Sequence, residues 1–202
     1  MANLNALVFQ FKITLLGIEP PVWRRIQVPA KYSFWDLHVA IQDSMGWLDY
    51  HLHAFRIRRK HKSRPLEIGI PDDMSDNVEP GWEIALTDIF LEPGQIAAYE
   101  YDFGDGWEHE VLLEGILLKD REFAYPRCTG GAQACPPEDC GGVPGYEDLL
   151  EILGNPKHSD FEEMNNWLKG HAKNYYPYDP GKFDPAEVRF DNPKKRWKQA
   201  FR

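Results

Sequence analysis

Long apolar runs are missing from this chain. Nothing in its 202 residues approaches the roughly 20 apolar residues that a membrane-spanning helix needs. The opening MANLNALVFQF lacks the basic leader and small-residue cleavage site of a secretory signal. A cytoplasmic location is therefore expected, where thiols stay reduced. Cysteine is scarce as well: Cys128, Cys135 and Cys140 are the whole set. An odd number cannot pair completely within one chain, so structural disulfides are not expected. Familiar catalytic signatures are absent too, including a Walker loop, a G-x-S-x-G elbow and an H-E-x-x-H helix. DDMSDNVE is acidic but lacks the glycine and the spaced final glutamate of a calcium loop.

Positive charge is also in short supply. With 23 Lys and Arg against 32 Asp and Glu, the formal charge is -9. That argues against nonspecific nucleic-acid binding by the whole surface, because phosphate neutralisation requires basic side chains. No lysine or arginine occurs from Pro65 to Leu118. Basic residues gather instead in RIRRKHKSR (Arg56 to Arg64) and in the terminal NPKKRWKQAFR. A solvated surface with internal acid–base pairing explains this segregation more simply than a dedicated anionic-partner site. Trp197 and Phe201, spaced i, i+4, suit docking of the terminal helix with its basic residues outward.

What is present is globular. Hydrophobic residues make up 43% and aromatics 13%, in a length that suits one domain, 1–202. ALVFQFKITLLG alternates cleanly and predicts a half-buried strand; VWRRIQVP predicts a second that forms a hairpin with it. SFWDLHVAIQDSMGW predicts a helix with Ser33 as N-cap, Asp36 at its positive end and Gly46 as a left-handed stop. Phe34, Leu37, His38, Ile41 and Met45 form its apolar face. HLHAFRIRR predicts a third strand with His51, His53, Phe55 and Ile57 on one side. These elements imply an α+β fold, a mixed sheet covered by the N-terminal helix, in an order that also permits a β-grasp-like arrangement.

The segment SRPLEIGIPDDMSDNVEPGW reads as an irregular polar insertion and ALTDIF as a short helical turn. AAYEYDFGDGWEHEVLLEGILL reads as a hairpin. A three-residue loop, Gly104-Asp105-Gly106, pairs Phe103 with Trp107, Tyr101 with His109 and Glu100 with Glu110. It sorts an apolar face from an acidic one and calls for a glycine at positive φ. Residues 145–202 read as a helical C-terminal extension. Its helices are GYEDLLEILG, closed by Gly154, and SDFEEMNNWLKG, with a capping box of Ser159 and Glu162. Asp184 and Asn192 cap two further turns, each followed by proline. HAKNYYPYDPGKF reads as an aromatic strap packed on the body.

Four blocks carry a resemblance: PPVWRRIQVP, FWDLHVAIQDSMGWLDYHLHAF, YEYDFGDGWEHEV and CTGGAQACPPEDCGGVPGY. In order and spacing they resemble the plasmid-pRiA ORF-three-like family, over about Val8 to Asn192. The resemblance implies an α+β fold with a mixed sheet and, through genetic context, an association with plasmids and mobile elements. It implies no reaction. Members often carry arginine where Gln133 stands and valine where Cys140 stands, so a site using all three cysteines is not implied for the family.

Three constellations have the residue types for chemistry. Six residues separate Cys128 from Cys135 and four separate Cys135 from Cys140, spacings outside the standard zinc motifs. Three thiolates would need a fourth ligand from His109, His158 or His171; free thiols, or a reversible Cys128–Cys135 disulfide, are the plainer readings. His51, His53 and His109 converge if their strand faces agree, with His38 above them. Joined by Asp49, Glu138 or Asp139, they have the donors of a water-activating metal site. Glu100, Asp102, Glu108 and Glu110 form an acidic face that Arg56, Arg58 or Arg24 can neutralise.

The candidate functional carboxylates are Asp102, Asp105, Glu138 and Asp139, and the candidate cofactor is zinc or another divalent ion. Two functions follow. The first expectation is a non-enzymatic cytosolic domain that binds a protein or nucleic-acid partner. The alternative is a metal-dependent hydrolase or nuclease using the histidines and the PPED carboxylates.

Overall fold

Alternating burial along two strands starts the fold. In the computed structural model, which describes residues 4–59, 62–71 and 77–201, β1 (Leu7–Leu15) and β2 (Trp23–Pro29) form the expected antiparallel hairpin. Phe11 sits opposite Ile26 and Phe9 opposite Val28, all buried. Six more strands follow: β3 (His53–Ile57), β4 (Leu66–Gly69), β5 (Val78–Pro80), β6 (Ile96–Tyr101), β7 (Trp107–Leu118) and β8 (Arg127–Ala132). They make one mixed sheet in the order β5-β4-β3-β6-β7-β1-β2-β8. Only β4 and β5 run parallel; every other neighbouring pair is antiparallel.

Three of these strands, β4 and β5 in the segment read as a polar insertion and β8 further on, correct the sequence reading of loops. LEIG is not part of an irregular insertion: Ile68 is buried opposite Phe55, and Gly69 lies against β3. A Cβ at Gly69 would stand 2.7 Å from the His53 carbonyl oxygen, so the pairing needs a glycine. The calcium-loop pattern tested on DDMSDNVE falls partly outside the described residues, as do Lys60 and His61 of the basic cluster. β8 lies within the cysteine stretch, pairing Cys128 with Ile26 on β2. RCTGGA has no alternation to announce it; pairing satisfies backbone groups of β2 that would otherwise lack partners.

The β6–β7 hairpin keeps its expected faces but not its expected register. Tyr101 pairs with Trp107, Tyr99 with His109 and Glu100 with Glu108. The loop is therefore the five residues 102–106. Face sorting cannot distinguish registers two residues apart, since a shift of two returns each side chain to the same face. Local turn chemistry decides: Asp102 adopts φ 56 and Gly106 φ 66, and the Gly106 N–H donates to the Asp102 carbonyl. On the acidic face Arg56 pairs with Glu100, and also with Glu67 on β4, while Arg25 lies 2.6 Å from Glu114 further along β7. Arg24 is buried elsewhere and takes no part.

α1 (Phe34–Met45) forms as its sequence requires. Ser33 Oγ accepts from the Asp36 N–H at 3.2 Å, the Ser33 N–H donates to Asp36 at 3.0 Å, and Gly46 closes the helix at φ 86. Phe34 meets Phe55 edge-on, with ring centroids 5.0 Å apart, and stacks on Phe90 just beyond the short α2 (Leu86–Ile89). α3 (Gly142–Gly154), α4 (Phe161–Gly170) and α5 (Pro193–Ala200) complete the helices. The Ser159–Glu162 capping box is not formed; α4 starts one residue later, on Asp160 without a side-chain cap. Asp184 and Asn192 cap their turns as expected.

α5 is docked on α1. Trp35 Nε1 donates to the Pro193 carbonyl at 3.1 Å, and Phe201 packs against Trp35 and Trp82. Among the described residues, no helix is long and apolar enough to cross a membrane. Ser33→Ala removes the side-chain cap of α1 and is expected to lower stability by about 1 kcal/mol. A urea midpoint shifted down at unchanged slope, with the native circular dichroism retained, is the result to look for.

Candidate metal centre

At one end of the sheet the β6–β7 loop meets the PPED segment. Asp102 follows directly on β6 in the left-handed region, which aspartate tolerates better than most residues. Its Oδ1 accepts from the Gly104 N–H at 3.0 Å and the Asp105 N–H at 3.4 Å. Its Oδ2 lies 3.6 Å from His51 Nε2. Asp105 reaches across the gap, its Oδ2 accepting from the Gly141 N–H at 3.2 Å. The loops meet so closely that a Cβ on Gly142 would fall 2.3 Å from the Asp105 carbonyl oxygen. Gly141 (φ 93) and Gly142 (φ 67) supply that approach.

Asp139, also left-handed at φ 59, completes the group. Its Oδ1 lies 3.0 Å from His51 Nε2 and its Oδ2 lies 3.9 Å from His171 Nε2. One ligand atom from each of His51, Asp102 and Asp139 falls within 4.8 Å of the others. His51 Nε2 is sealed from solvent yet makes no hydrogen bond, despite two carboxylates nearby. Donor atoms around a zinc-sized ion at about 2.1 Å stand roughly 3.0–3.5 Å apart, close to the spacings around His51.

Glu138 does a different job from its neighbour. It is 1% exposed, and its carboxylate accepts from the Tyr101 hydroxyl and from the Leu48 N–H at 2.7 Å. The Tyr101 hydroxyl in turn accepts from the Tyr50 N–H at 3.1 Å. Burial, reinforced by Glu138, holds the Tyr101 phenol well above its ordinary pKa, so it stays a donor. Fixing residues 48–50 in this way positions His51.

The family model for Plasmid pRiA4b ORF-3-like protein matches residues 7–187. The chain belongs to that family. It is 34% identical over 164 residues to Uncharacterized protein y4hQ of Sinorhizobium fredii (strain NBRC 101917 / NGR234), covering 80% of this chain and 81% of the relative. It is also similar to a solved structure, the crystal structure of Protein of Unknown Function MM3350 from Methanosarcina mazei Go1. The TM-score is 0.80 at 41% identity, covering 92% of this chain and 99% of that one.

In this pRiA4b ORF-3-like chain the other histidines are divided from His51. β3 begins at His53, so the strand alternation that would place His51 beside it does not reach back that far. His53 stacks on His38, with ring centroids 3.4 Å apart, and burial, then His38, hold it well below its ordinary pKa. His38 bonds the Tyr99 hydroxyl at 2.9 Å and Asp49 at 2.8 Å. His109 Nδ1 faces the Trp107 and Tyr99 carbonyls at 3.0 and 3.3 Å, so that nitrogen carries the proton. His53 Nδ1 and His109 Nε2 also lack hydrogen bonds, but neither belongs to a ligand group among the described residues.

The three cysteines are free, and none joins a ligand group among the described residues. Burial raises the Cys128 thiol and pushes Cys135 and Cys140 up to about 12, away from the thiolate a metal would require. His158 lies 4.0 Å from Asp160 and stays local to α4. Sequence reasoning named His171 only as a fourth ligand for the thiols; it faces Asp139 instead. Tyr101 was recognised only as a sheet residue, and its bond to Glu138 leaves no trace in local pattern. A cavity of about 350 Å³ between α3 and α4 opens beside Asp139, lined by Leu149, Ile152, Met164, Trp167, Asp160 and Glu163.

Two expectations follow. Tyr101→Phe strands a buried carboxylate oxygen and should cost about 2 kcal/mol, read from urea unfolding. For His109, burial lowers the folded pKa to about 4, while the unfolded chain titrates near 6.5. Between those values the unfolded state binds a proton that the folded state refuses. Stability is therefore full above about pH 6.5 and falls towards pH 4 by up to about 3 kcal/mol from this group. Urea midpoints measured from pH 7 to 4 should show that slope, and His109→Leu should reduce it, leaving the part that buried His53 contributes in the same sense.

Proposed function

We propose that the protein is a metal-dependent hydrolase centred on His51, Asp102 and Asp139. One observation carries this reading: a sealed imidazole nitrogen stands between two carboxylates without hydrogen-bonding to either. One imidazole and two carboxylates suit zinc or a similar divalent ion, and three protein ligands leave a position for water or substrate. Bound there, such an ion would acidify water and polarise the scissile bond.

The chain's own groups have distinct parts. Asp102 spends Oδ1 on its turn, which keeps Oδ2 directed at His51. His171 Nδ1 accepts from the Lys173 N–H at 3.2 Å, so its proton sits on Nε2, facing Asp139. From there it can steady Asp139 and deliver a proton to a leaving group. The adjoining cavity has apolar walls from α3 and α4, acidic residues Asp160 and Glu163, and no lysine or arginine in its lining. That lining favours a neutral or cationic substrate over a phosphate backbone, so a small-substrate hydrolase is preferred to a nuclease.

A purely binding role stands second. The basic tail that would serve an anionic partner commits Arg196 to Asp43, Asp49 and Asp191. Equilibrium dialysis against zinc, followed by metal analysis, is expected to give one ion per chain. Asp102→Asn and Asp139→Asn should weaken binding roughly 10–100-fold with the fold intact. His171→Gln should keep the metal but lower turnover of amide or ester substrates at least about 100-fold. A wild-type chain that binds no zinc, manganese or cobalt overturns the proposal.

A further inference from the structure

A second site lies on the other side of the PPED segment, around Arg24. This arginine is 1% exposed near the start of β2. Its Nε donates to the Ser44 carbonyl at 2.9 Å, and Nη1 donates to the Trp23 and Ala132 carbonyls at 2.8 and 2.9 Å. Its guanidinium carbon lies 3.7 Å from the centre of the Phe183 ring. A Cβ on Gly131 would fall 2.3 Å from Phe183, so the glycine in β8 makes room for that ring. No carboxylate pairs with Arg24 among the described residues, and Nη2 makes no hydrogen bond there. Buried charges are normally paired, because the cost of removing them from water is otherwise uncompensated.

The ionisable groups facing Arg24 do not supply the missing charge. They are Cys135, Cys128 and Tyr178. Burial pushes Cys135 up to about 12, raises Cys128, and holds the Tyr178 phenol far above its ordinary value, so all three stay neutral near pH 7. Arg24 lines a cavity of about 510 Å³ together with Lys173, Cys135 and Tyr178. A Cβ on Gly46 would lie 2.7 Å from the Lys173 ammonium, which places that charge over the end of α1. Burial lowers the Lys173 pKa; Cys135 and Glu138 act to raise it, and Arg24 to lower it.

The acids along the wall are committed. Asp43 pairs with Arg196 at 2.7 Å, while Asp179 and Asp184 accept from the Gly181 and Ala186 N–H groups at 2.9 and 2.8 Å. Exposed Glu187 shares the rim with Lys182 and Arg189. Among the described residues neither Arg24 nor Lys173 forms an ion pair with a carboxylate, and the buried Arg24 leaves one guanidinium edge open, so the two suit an anion. An arginine fork suits two oxygens of one group, and an ammonium suits the same group as a point charge.

We propose that this cavity binds a small oxyanion, a carboxylate or a phosphate, between the open edge of Arg24 and the Lys173 ammonium. The site shares the PPED segment with the metal centre but none of its ligands, so it stands or falls separately. Calorimetry on chelator-treated full-length protein, titrated in turn with sodium phosphate and sodium acetate, tests it. One of the two anions should bind saturably, one per chain, and raise Tm with concentration. Saturation by phosphate alone assigns a phosphate-type ligand, and by acetate alone a carboxylate.

Arg24→Gln is expected to abolish binding, but that residue is buried and its hydrogen bonds tie β2 to β8 and to the end of α1. Lys173→Gln, at an exposed position, should keep the fold and weaken binding roughly tenfold, and Lys182→Gln should leave it unchanged. No saturable binding of either anion by wild type, or wild-type affinity in a folded Lys173→Gln, overturns the proposal.

Discussion

The buried Glu138 carboxylate is the constraint on which the functional end of the molecule depends. It accepts hydrogen bonds from the Tyr101 hydroxyl at the end of β6 and from the Leu48 N–H after α1. Its own N–H donates to the Tyr175 hydroxyl at 3.3 Å. A carboxylate in such a place costs several kcal/mol unless its oxygens are satisfied, so three distant segments must arrive together for any of them to be well placed. Asp139 is carried in as the next residue, and His51 as the residue after the Leu48–Tyr50 turn. The metal centre is thus a consequence of how Glu138 is buried.

A second buried polar chain fixes the opposite side of α1. His38 links Tyr99 to Asp49, and Asp49 Oδ2 accepts from Arg196 at 3.1 Å. Burial disfavours the charged form of Asp49, but His38 and Arg196 outweigh it and its pKa is lowered. Arg196 is raised in turn by the three aspartates it contacts, against its own burial. A terminal helix with no buried residue of its own is held by this ion network and by Trp35 and Trp82. The basic tail therefore serves architecture first.

Much of this was legible in local pattern. β1, β2, α1, its cap residues and the two faces of the β6–β7 hairpin all follow from alternation, helical spacing and Ser33 or Gly46 chemistry. What escaped had a common cause. The hairpin register turned on a left-handed Asp102 that no face-sorting argument distinguishes, and β8 on the pairing needs of β2. At the site, His51, Asp102 and Asp139 were all named, but among companions that share their chemistry and not their position. Strand alternation grouped His51 with His53 because nothing in HLHAF marks where the strand begins. Convergence of three loops is a tertiary event that no local spacing records.

The PPED segment also explains why one acidic chain holds two sites of opposite preference. Its N-terminal end, Ala134 to Pro136, borders the cavity that contains Arg24 and Lys173. Its C-terminal end, Asp139 and Cys140, borders the cavity lined by Asp160 and Glu163. Glu138 lies between them with both oxygens hydrogen-bonded, and its charge acts on the Arg24 cavity through Lys173. The separation is electrostatic as well as geometric. The acidic lining of the metal-side cavity disfavours an anion unless a cation is bound there, while the Arg24 cavity offers an anion the open edge of a buried guanidinium. A bulk charge of -9 would obscure both preferences. They become visible only when each charge is followed to its partner, and Arg24 is a buried cation with no carboxylate partner among the described residues.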